Sequence, residues 1–404
     1  MPSSAATPRP STPPARPSGS AATRPATRSC ATSASSRWPP TANSARSSRA
    51  KRGAARRFRR RGGAATCRTC PGWRDRPAVS DPAGAAGFAA LTPDAVMDCA
   101  ERASGRRASG TCRPLTSYIN RVYEIGLEDG GFLIAKFYRP GRWSRAALQD
   151  EQEFLLELAA DEVPVVAPLA DADGRTLHEE GGIAFALFPR VGGRPCDEPS
   201  RAEWLQIGRL IGRIHQVGAQ RPAEHRFGLD PRNSSRAHLD FLRDSGAIPR
   251  EVAGLYLDVA QQLLDRIAPL FDGVATQRLH GDLHRMNLLW RPGEGFQAID
   301  FDDMAMGPAI QDLWMLLPDR LPAARPEFEL LLEGYDTFAE YDDAQTRLIE
   351  PLRAMRYLHY AAWCARQKAD GGRGLLTAEW GTADFWRREL ADLQRQARDI
   401  EDLA

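Results

Sequence analysis

Lysine is almost absent from this 404-residue chain: of 54 basic residues only Lys51, Lys136 and Lys368 are not arginine. A chain that uses arginine nearly everywhere has little reason to keep a lysine inside an apolar run, so Lys136 marks a place where a compact ammonium is needed. Long apolar runs are missing too. None reaches about 18 residues, which leaves no candidate membrane span and predicts a soluble protein. Seven cysteines, an odd and scattered set, exclude a disulfide framework, and reduced thiols in a cytoplasmic protein are expected. Cys67 and Cys70 form half of a zinc pattern, with the nearest histidine at His178. Acidic residues are absent before Asp75, whereas Lys51 and fifteen arginines precede it; with +2 overall, the remainder of the chain carries −14. That acidic remainder is a poor partner for nucleic acid.

Residues 1–88 are rich in Ala, Ser, Pro, Arg and Gly and poor in aliphatic side chains, so disorder is expected. The basic run 51–61 would suit a nucleic acid or an anionic surface. The acid-free, Arg- and Ser-rich composition also matches a transit peptide, without an amphipathic period. A translation start near Met97 is the third reading, and a misplaced start or a dispensable tail is favoured over a function for this arm.

From Leu115 the texture changes. Segments 119–127 and 132–138 flank Glu128-Asp-Gly-Gly131, a hairpin signal. Residues 147–160 carry Leu148, Phe154, Leu155 and Leu158 at helical spacing, and 163–168, 176–179 and 183–188 read as strands. After Pro189-Arg-Val-Gly-Gly193 the pattern turns helical over 201–217, 252–270, 310–317, 327–339, 346–368 and 383–403. The expected fold is α+β and bilobal: a small antiparallel-sheet lobe over 89–190, a larger helical lobe over 191–404, and a ligand cleft between them.

The densest chemistry lies in His280-Gly-Asp-Leu-His-Arg-Met-Asn287 and Ile299-Asp-Phe-Asp302. Phosphoryl transfer from a nucleoside triphosphate needs one carboxylate near the incoming hydroxyl and separate oxygen ligands for Mg²⁺. Asp282 suits the first task, Asn287 and Asp300 the second. The apolar runs around Arg291-Pro-Gly-Glu-Gly295 read as a hairpin that would draw Asn287 and Asp300 together. Taken singly, each of these residues could equally cap a helix or turn; the spacing of the set carries the signal.

Lys136, inside Phe132-Leu-Ile-Ala-Lys-Phe-Tyr138, is expected to meet the ATP phosphates, since a buried ammonium needs an anionic partner. Glu151, on the apolar face of the following helix, is the carboxylate expected to hold it, with Asp150 and Glu153 on the solvated face. No Gly-x-Gly-x-x-Gly loop precedes Lys136. Its place falls to Thr116-Ser-Tyr-Ile-Asn-Arg121, which nominates Ser117, Asn120 and Arg121 at the nucleotide.

Segments including Ser117-Tyr-Ile-Asn-Arg-Val-Tyr123, Lys136-Phe-Tyr-Arg-Pro140, Phe188-Pro-Arg-Val-Gly-Gly193, Gly307-Pro-Ala-Ile-Gln-Asp-Leu-Trp314 and Ile349-Glu-Pro-Leu-Arg-Ala-Met-Arg356 carry a resemblance over roughly residues 91–393. The chain resembles the bacterial stress response kinases, serine/threonine protein kinases on the aminoglycoside-phosphotransferase and choline-kinase variant of the kinase fold. The resemblance implies Asp282 as proton acceptor, Asn287 and Asp300 as magnesium ligands, Ser117 at the ATP site, and Asp312 bracing the catalytic loop. Arg285-Met286 departs from the small residue and glycine usual there. The implied function is ATP- and Mg²⁺-dependent phosphorylation of serine or threonine hydroxyls of proteins, the enzyme itself included, in stress response; a monomer is expected. Two alternatives remain. One is a small-molecule kinase for an aminoglycoside, choline or homoserine-like acceptor, with Trp314, Tyr357, Tyr360 and Trp363 as possible pocket aromatics. The other is a pseudokinase scaffold, against which the intact Lys136, Asp282, Asn287 and Asp300 argue.

Overall fold

The structure, a computed structural model, describes residues 88, 90–117, 119–196, 198–369 and 379–402. The basic arm with Cys30, Cys67 and Cys70 lies outside the described residues, apart from Phe88 at its end. Helix α1 (Pro93–Ser104) opens with Thr92 accepting from the Ala95 N–H and closes on Gly105 at φ 68°. Strands β1 (Ala108–Leu115), β2 (Arg121–Leu127) and β3 (Phe132–Phe137) follow, then helix α2 (Arg145–Ala160), capped by Ser144. Strands β4 (His178–Glu180) and β5 (Ile183–Pro189) complete an antiparallel sheet of order β1-β2-β3-β5-β4.

Alternation along β3 separates the two faces of this sheet. Leu133, Ala135 and Phe137 are buried in one cluster with Val96, Cys99 and Ala100 of α1. Lys136 points to the other face, where Tyr138 and Ala186 pack with Leu148 of α2. The pleat alone therefore aims the lone lysine of the sheet at Glu151 and the 300–302 segment.

The helical part begins with α3 (Arg201–Gly218), whose capping box pairs Ser200 with Glu203. Helices α4 (Arg236–Asp244) and α5 (Arg250–Ile267) come next, then β6 (Gln277–Leu279), the hairpin β7 (Leu288–Arg291) and β8 (Gly295–Ala298), and β9 (Ala305–Gly307). The chain ends with α6 (Ile310–Trp314), α7 (Arg325–Tyr335), α8 (Ile349–Ala369) and α9 (Ala383–Glu401). Strand β6 pairs with β9, so the 280–287 and 299–304 loops leave neighbouring strands side by side. Among the described residues no helix is long and apolar enough to cross a membrane.

Several expectations shift. Segment 163–168 is no strand, because Pro164 and Pro168 cannot donate to a ladder; it makes a single parallel bridge from Val165 to Ala298. Strand β1 is mostly exposed and lacks an apolar face, and α4 buries only Leu239 and Leu242. Strand β1 offered no period that reveals an element in sequence, whereas α4 is amphipathic but only nine residues long.

Helices α3 and α7 pack at backbone contact. A Cβ added at Gly208 would lie 2.1 Å from the Leu331 carbonyl oxygen, and one at Gly334 2.3 Å from that of Leu205. Gly208→Ala is therefore expected to destabilise the protein by about 1–3 kcal/mol, read as a lower midpoint of denaturant unfolding; an unchanged midpoint would show that the helices separate at no cost.

Candidate active site

The loop 280–287 is held from below by one buried carboxylate. Asp312, in α6, accepts from the His280 N–H at 2.8 Å and the Gly281 N–H at 2.9 Å. His215 Nε2 lies 3.1 Å from the same carboxylate, and its Nδ1 is 3.0 Å from the Tyr335 hydroxyl. Burial works against ionising Asp312, but His215, His280 and the Gly281 amide outweigh it and hold the carboxyl below the usual range. Gly281 has φ 84°, and a Cβ there would meet the Asp303 carbonyl oxygen at 2.1 Å. Only glycine allows the two loops to pass this closely.

Within the loop, His280 is fixed at both nitrogens. Nδ1 accepts from the Asp282 N–H at 3.3 Å, so Nε2 carries the proton and donates to the Ile299 carbonyl at 2.8 Å. Asn287 donates from Nδ2 to the Asp282 carbonyl at 3.0 Å, which leaves its Oδ1 to accept or ligate. The Ile299 N–H donates to the Asn287 carbonyl at 3.0 Å, so the hairpin does bring Asn287 beside Asp300. Arg285 and Met286 form the single helical turn that ends at Asn287, with the Met286 side chain exposed and Arg285 donating to the Leu316 carbonyl.

Asp300 has φ 62°, one of two non-glycine residues in the left-handed region among the described residues. Such strain concentrates where a side chain must be aimed. Its side chain, 55% exposed, lies 3.0 Å from Lys136 Nζ. Lys136 also faces Asp302 at 3.5 Å and Glu151 at 3.6 Å, with its own side chain only 9% exposed. Burial pulls the ammonium down, yet Asp300 and Glu151 leave it more basic than an ordinary lysine. In turn the ammonium holds the Asp300 carboxyl below its usual value.

Glu151 is 3.6 Å from Lys136 but nearer to Arg226, at 2.7 Å, and to the Tyr138 hydroxyl, at 3.2 Å. Arg226 is fully buried and also donates to the Ala147 and Asp302 carbonyls at 2.8 Å. Arg142 grips Asp302 and, at 2.5 Å, Asp303. Neither arginine was visible in sequence: both belong to a pool of 51 arginines, and neither lies in the spaced motif. Asp150, expected at the solvated face, is instead buried and accepts from the His225 N–H at 2.7 Å. Glu153 is solvated and pairs with Arg221.

The β1–β2 turn holds Ser117, half-exposed, at the edge of the sheet. Asn120 is buried, and its Oδ1 accepts from the Arg139 N–H at 3.0 Å, which ties the turn to the chain after β3. Arg121 pairs in register with Phe137, so it shares the α1 face and lies over the Phe88 ring at 4.9 Å, opposite to the face of Lys136. The structure therefore turns Arg121 away from the cleft and spends Asn120 on the scaffold.

Asp282 stands at the mouth of the loop. Its Oδ1 is 2.7 Å from Arg356 of α8, and its Oδ2 is 3.6 Å from His284 Nε2. Arg356 ends one of the resembling segments, but nothing in that segment tied it to Asp282. Among the described residues no three His, Cys, Asp or Glu side chains form a metal cage by themselves. The Asn287 and Asp300 oxygens suit a hard cation that takes its other ligands from phosphates and water.

Asp312→Asn replaces one acceptor by a donor facing N–H groups. Unfolding stability at pH 7 is expected to fall by about 1–3 kcal/mol. In the native chain this carboxyl is depressed, so its contribution is full above the unfolded value near pH 4 and is lost as the pH falls below it. The variant's deficit should therefore shrink on acidification; a deficit that does not change with pH would contradict the charged bracing.

Comparison with known proteins agrees with this fold. The model of the phosphotransferase enzyme family matches residues 111–349, from β1 to the start of α8. Stress response kinase A of Escherichia coli (strain K12) is 38% identical over 324 residues, covering 78% of this chain and 95% of that protein. Serine/threonine protein kinase RdoA of Salmonella typhimurium is 38% identical over 317 residues, with the same shares. Among solved structures, amicoumacin kinase hAmiN in complex with AMP-PNP, Ca²⁺ and Ami gives a TM-score of 0.60 at 21% identity, covering 76% of this chain and 93% of that one. Spectinomycin phosphotransferase APH(9)-Ia in complex with ADP and spectinomycin gives 0.56 at 12%, covering 77% and 99%. These two share the sheet-and-helix fold described above. The matched model and the sequence identities together establish that the chain belongs to the phosphotransferase enzyme family.

Proposed function

We propose that this enzyme transfers the γ-phosphoryl group of ATP, with Mg²⁺, to serine and threonine hydroxyls of proteins and of itself, as a cytoplasmic monomer serving a bacterial stress response. The observation that carries this reading is the convergence of Lys136, Asp282, Asn287 and Asp300 from three separate segments onto one cleft edge. The identity to stress response kinase A and to the serine/threonine protein kinase RdoA supports the acceptor class.

Arg356 holds one oxygen of Asp282, leaving the other to orient the incoming hydroxyl and take its proton as the oxygen attacks phosphorus. Lys136 has three N–H donors; within reach of Asp300 and Glu151, it is placed to neutralise phosphate oxygens while both carboxylates fix its position. Mg²⁺, held by Asn287 and Asp300 together with phosphate oxygens, would offset the charge of the transferring group. Ser117, at the β1–β2 turn, is the hydroxyl available beside the nucleotide.

A small cationic acceptor fits less well. Trp314 is buried and donates to Gln311, and Tyr357, Tyr360 and Trp363 pack against the helical core. The side chain beside Asp282 is a guanidinium.

Incubation with γ-labelled ATP, a mixed protein acceptor and a panel of small alcohols tests the reading. Label on phosphoserine and phosphothreonine is expected, and Asp282→Asn should lower turnover by about 10²–10⁴-fold with ATP affinity retained. Label confined to a small alcohol, or undiminished transfer by Asp282→Asn, would overturn it.

A further inference from the structure

Helix α8 carries Arg356, His359 and Arg366 on one face, since offsets of three and ten residues return to nearly the same side of an α-helix. Arg356 touches Asp282. Farther along, His359 Nδ1 lies 3.2 Å from Nε2 of His238 on α4, and Arg366 lies 3.3 Å from His238 Nδ1. Arginine only donates, so His238 accepts at Nδ1 and donates from Nε2 to His359 Nδ1. The proton of His359 must then sit on Nε2, the edge of the ring away from His238. Burial, together with Arg366, pushes His238 down to about 3, and burial and His238 likewise lower His359; the nearby Asp303 carboxylate pulls both the other way without reversing it, which agrees with two neutral rings.

Three arginines and three carboxylates line this strip, but they are unevenly paired. Arg356 faces Asp282, and Arg142 faces Asp302 and Asp303. Arg366 is half-buried over the Phe241 ring at 4.2 Å and faces no carboxylate among the described residues. Burial and Arg142 bring it down only to about 10, so it keeps its charge at neutral pH. A guanidinium held in this way without a counter-charge is costly unless an anion arrives to meet it.

The geometry points to an anion subsite for the acceptor, formed by Arg366 and the Nε2–H of His359, which binds a phosphorylated or acidic side chain of the protein whose hydroxyl lies at Asp282. The inference rests on the protein-acceptor reading above and specifies it. From Arg356 to Arg366 the helix rises about 15 Å at ~1.5 Å per residue. An extended peptide covers that distance in four or five residues at ~3.3 Å each. The anion therefore belongs roughly that far from the target hydroxyl.

The test uses serine peptides that carry phosphoserine, glutamate, alanine or lysine four or five residues from the target serine, on either side in turn. Wild-type kcat/KM is expected to be at least tenfold higher for an anionic peptide than for the alanine peptide, and lowest for lysine. Preference for phosphoserine alone identifies a phosphate site, and equal preference for glutamate a carboxylate site; both support the inference. Arg366→Glu should invert the order, favouring lysine over the anions, which misfolding cannot imitate, and Arg366→Gln should flatten it. Peptides phosphorylated equally well whatever their charge, or an unchanged order in Arg366→Glu, would overturn the subsite while leaving the protein-acceptor reading intact. Label in small alcohols with none in any peptide would overturn both.

Discussion

The buried ammonium of Lys136 is the constraint on which the rest of the site depends. An ammonium in a closely packed sheet is tolerated only with carboxylates around it, and here they come from α2 and from the 300–302 segment. The same contacts fasten the sheet to the helical part. Arg226 and Arg142 extend the arrangement, so Lys136, Arg142 and Arg226 face Glu151, Asp300, Asp302 and Asp303. The surplus charge is negative and falls on Asp300, the most exposed of the carboxylates that Lys136 contacts. A divalent cation is the natural complement at that spot, and the phosphates it brings would meet the lysine.

A second support works independently. Asp312 binds two backbone N–H groups of the 280–287 loop and is itself backed by His215 and Tyr335. It sets the loop from the helical side, whereas Lys136 sets the 300–302 segment from the sheet side. Gly281 lets the two segments pass at backbone distance. The loop thus keeps its turn despite Arg285 and Met286, because neither side chain enters the space between the segments.

Much of this was legible in the sequence, for identifiable reasons. Asp282, Asn287 and Asp300 stand at short fixed intervals around a hairpin, and local chain geometry brings them together. Lys136 stood out because its neighbours are apolar and the chain avoids lysine elsewhere. Asp312 was legible only through resemblance, because its partners are two backbone N–H groups and a histidine 97 positions away, which leave no sequence pattern. Arg142, Arg226 and Arg356 were hidden, since a long-range ion pair cannot be read from one member of a large arginine pool. Arg121 was misdirected for a simpler reason: a shift of one residue along a strand reverses the face, and the register of β2 against β3 decides it.

The central claim is that Lys136 serves phosphate and not merely charge. Steady-state kinetics of Lys136→Arg, at limiting and at saturating ATP, test it most directly, because the substitution keeps the charge and changes only the shape of the donor. Strongly depressed turnover is expected, with the planar guanidinium displacing the nucleotide from its position against Asp300 and Glu151. Wild-type kcat and KM for ATP in this variant would contradict the account.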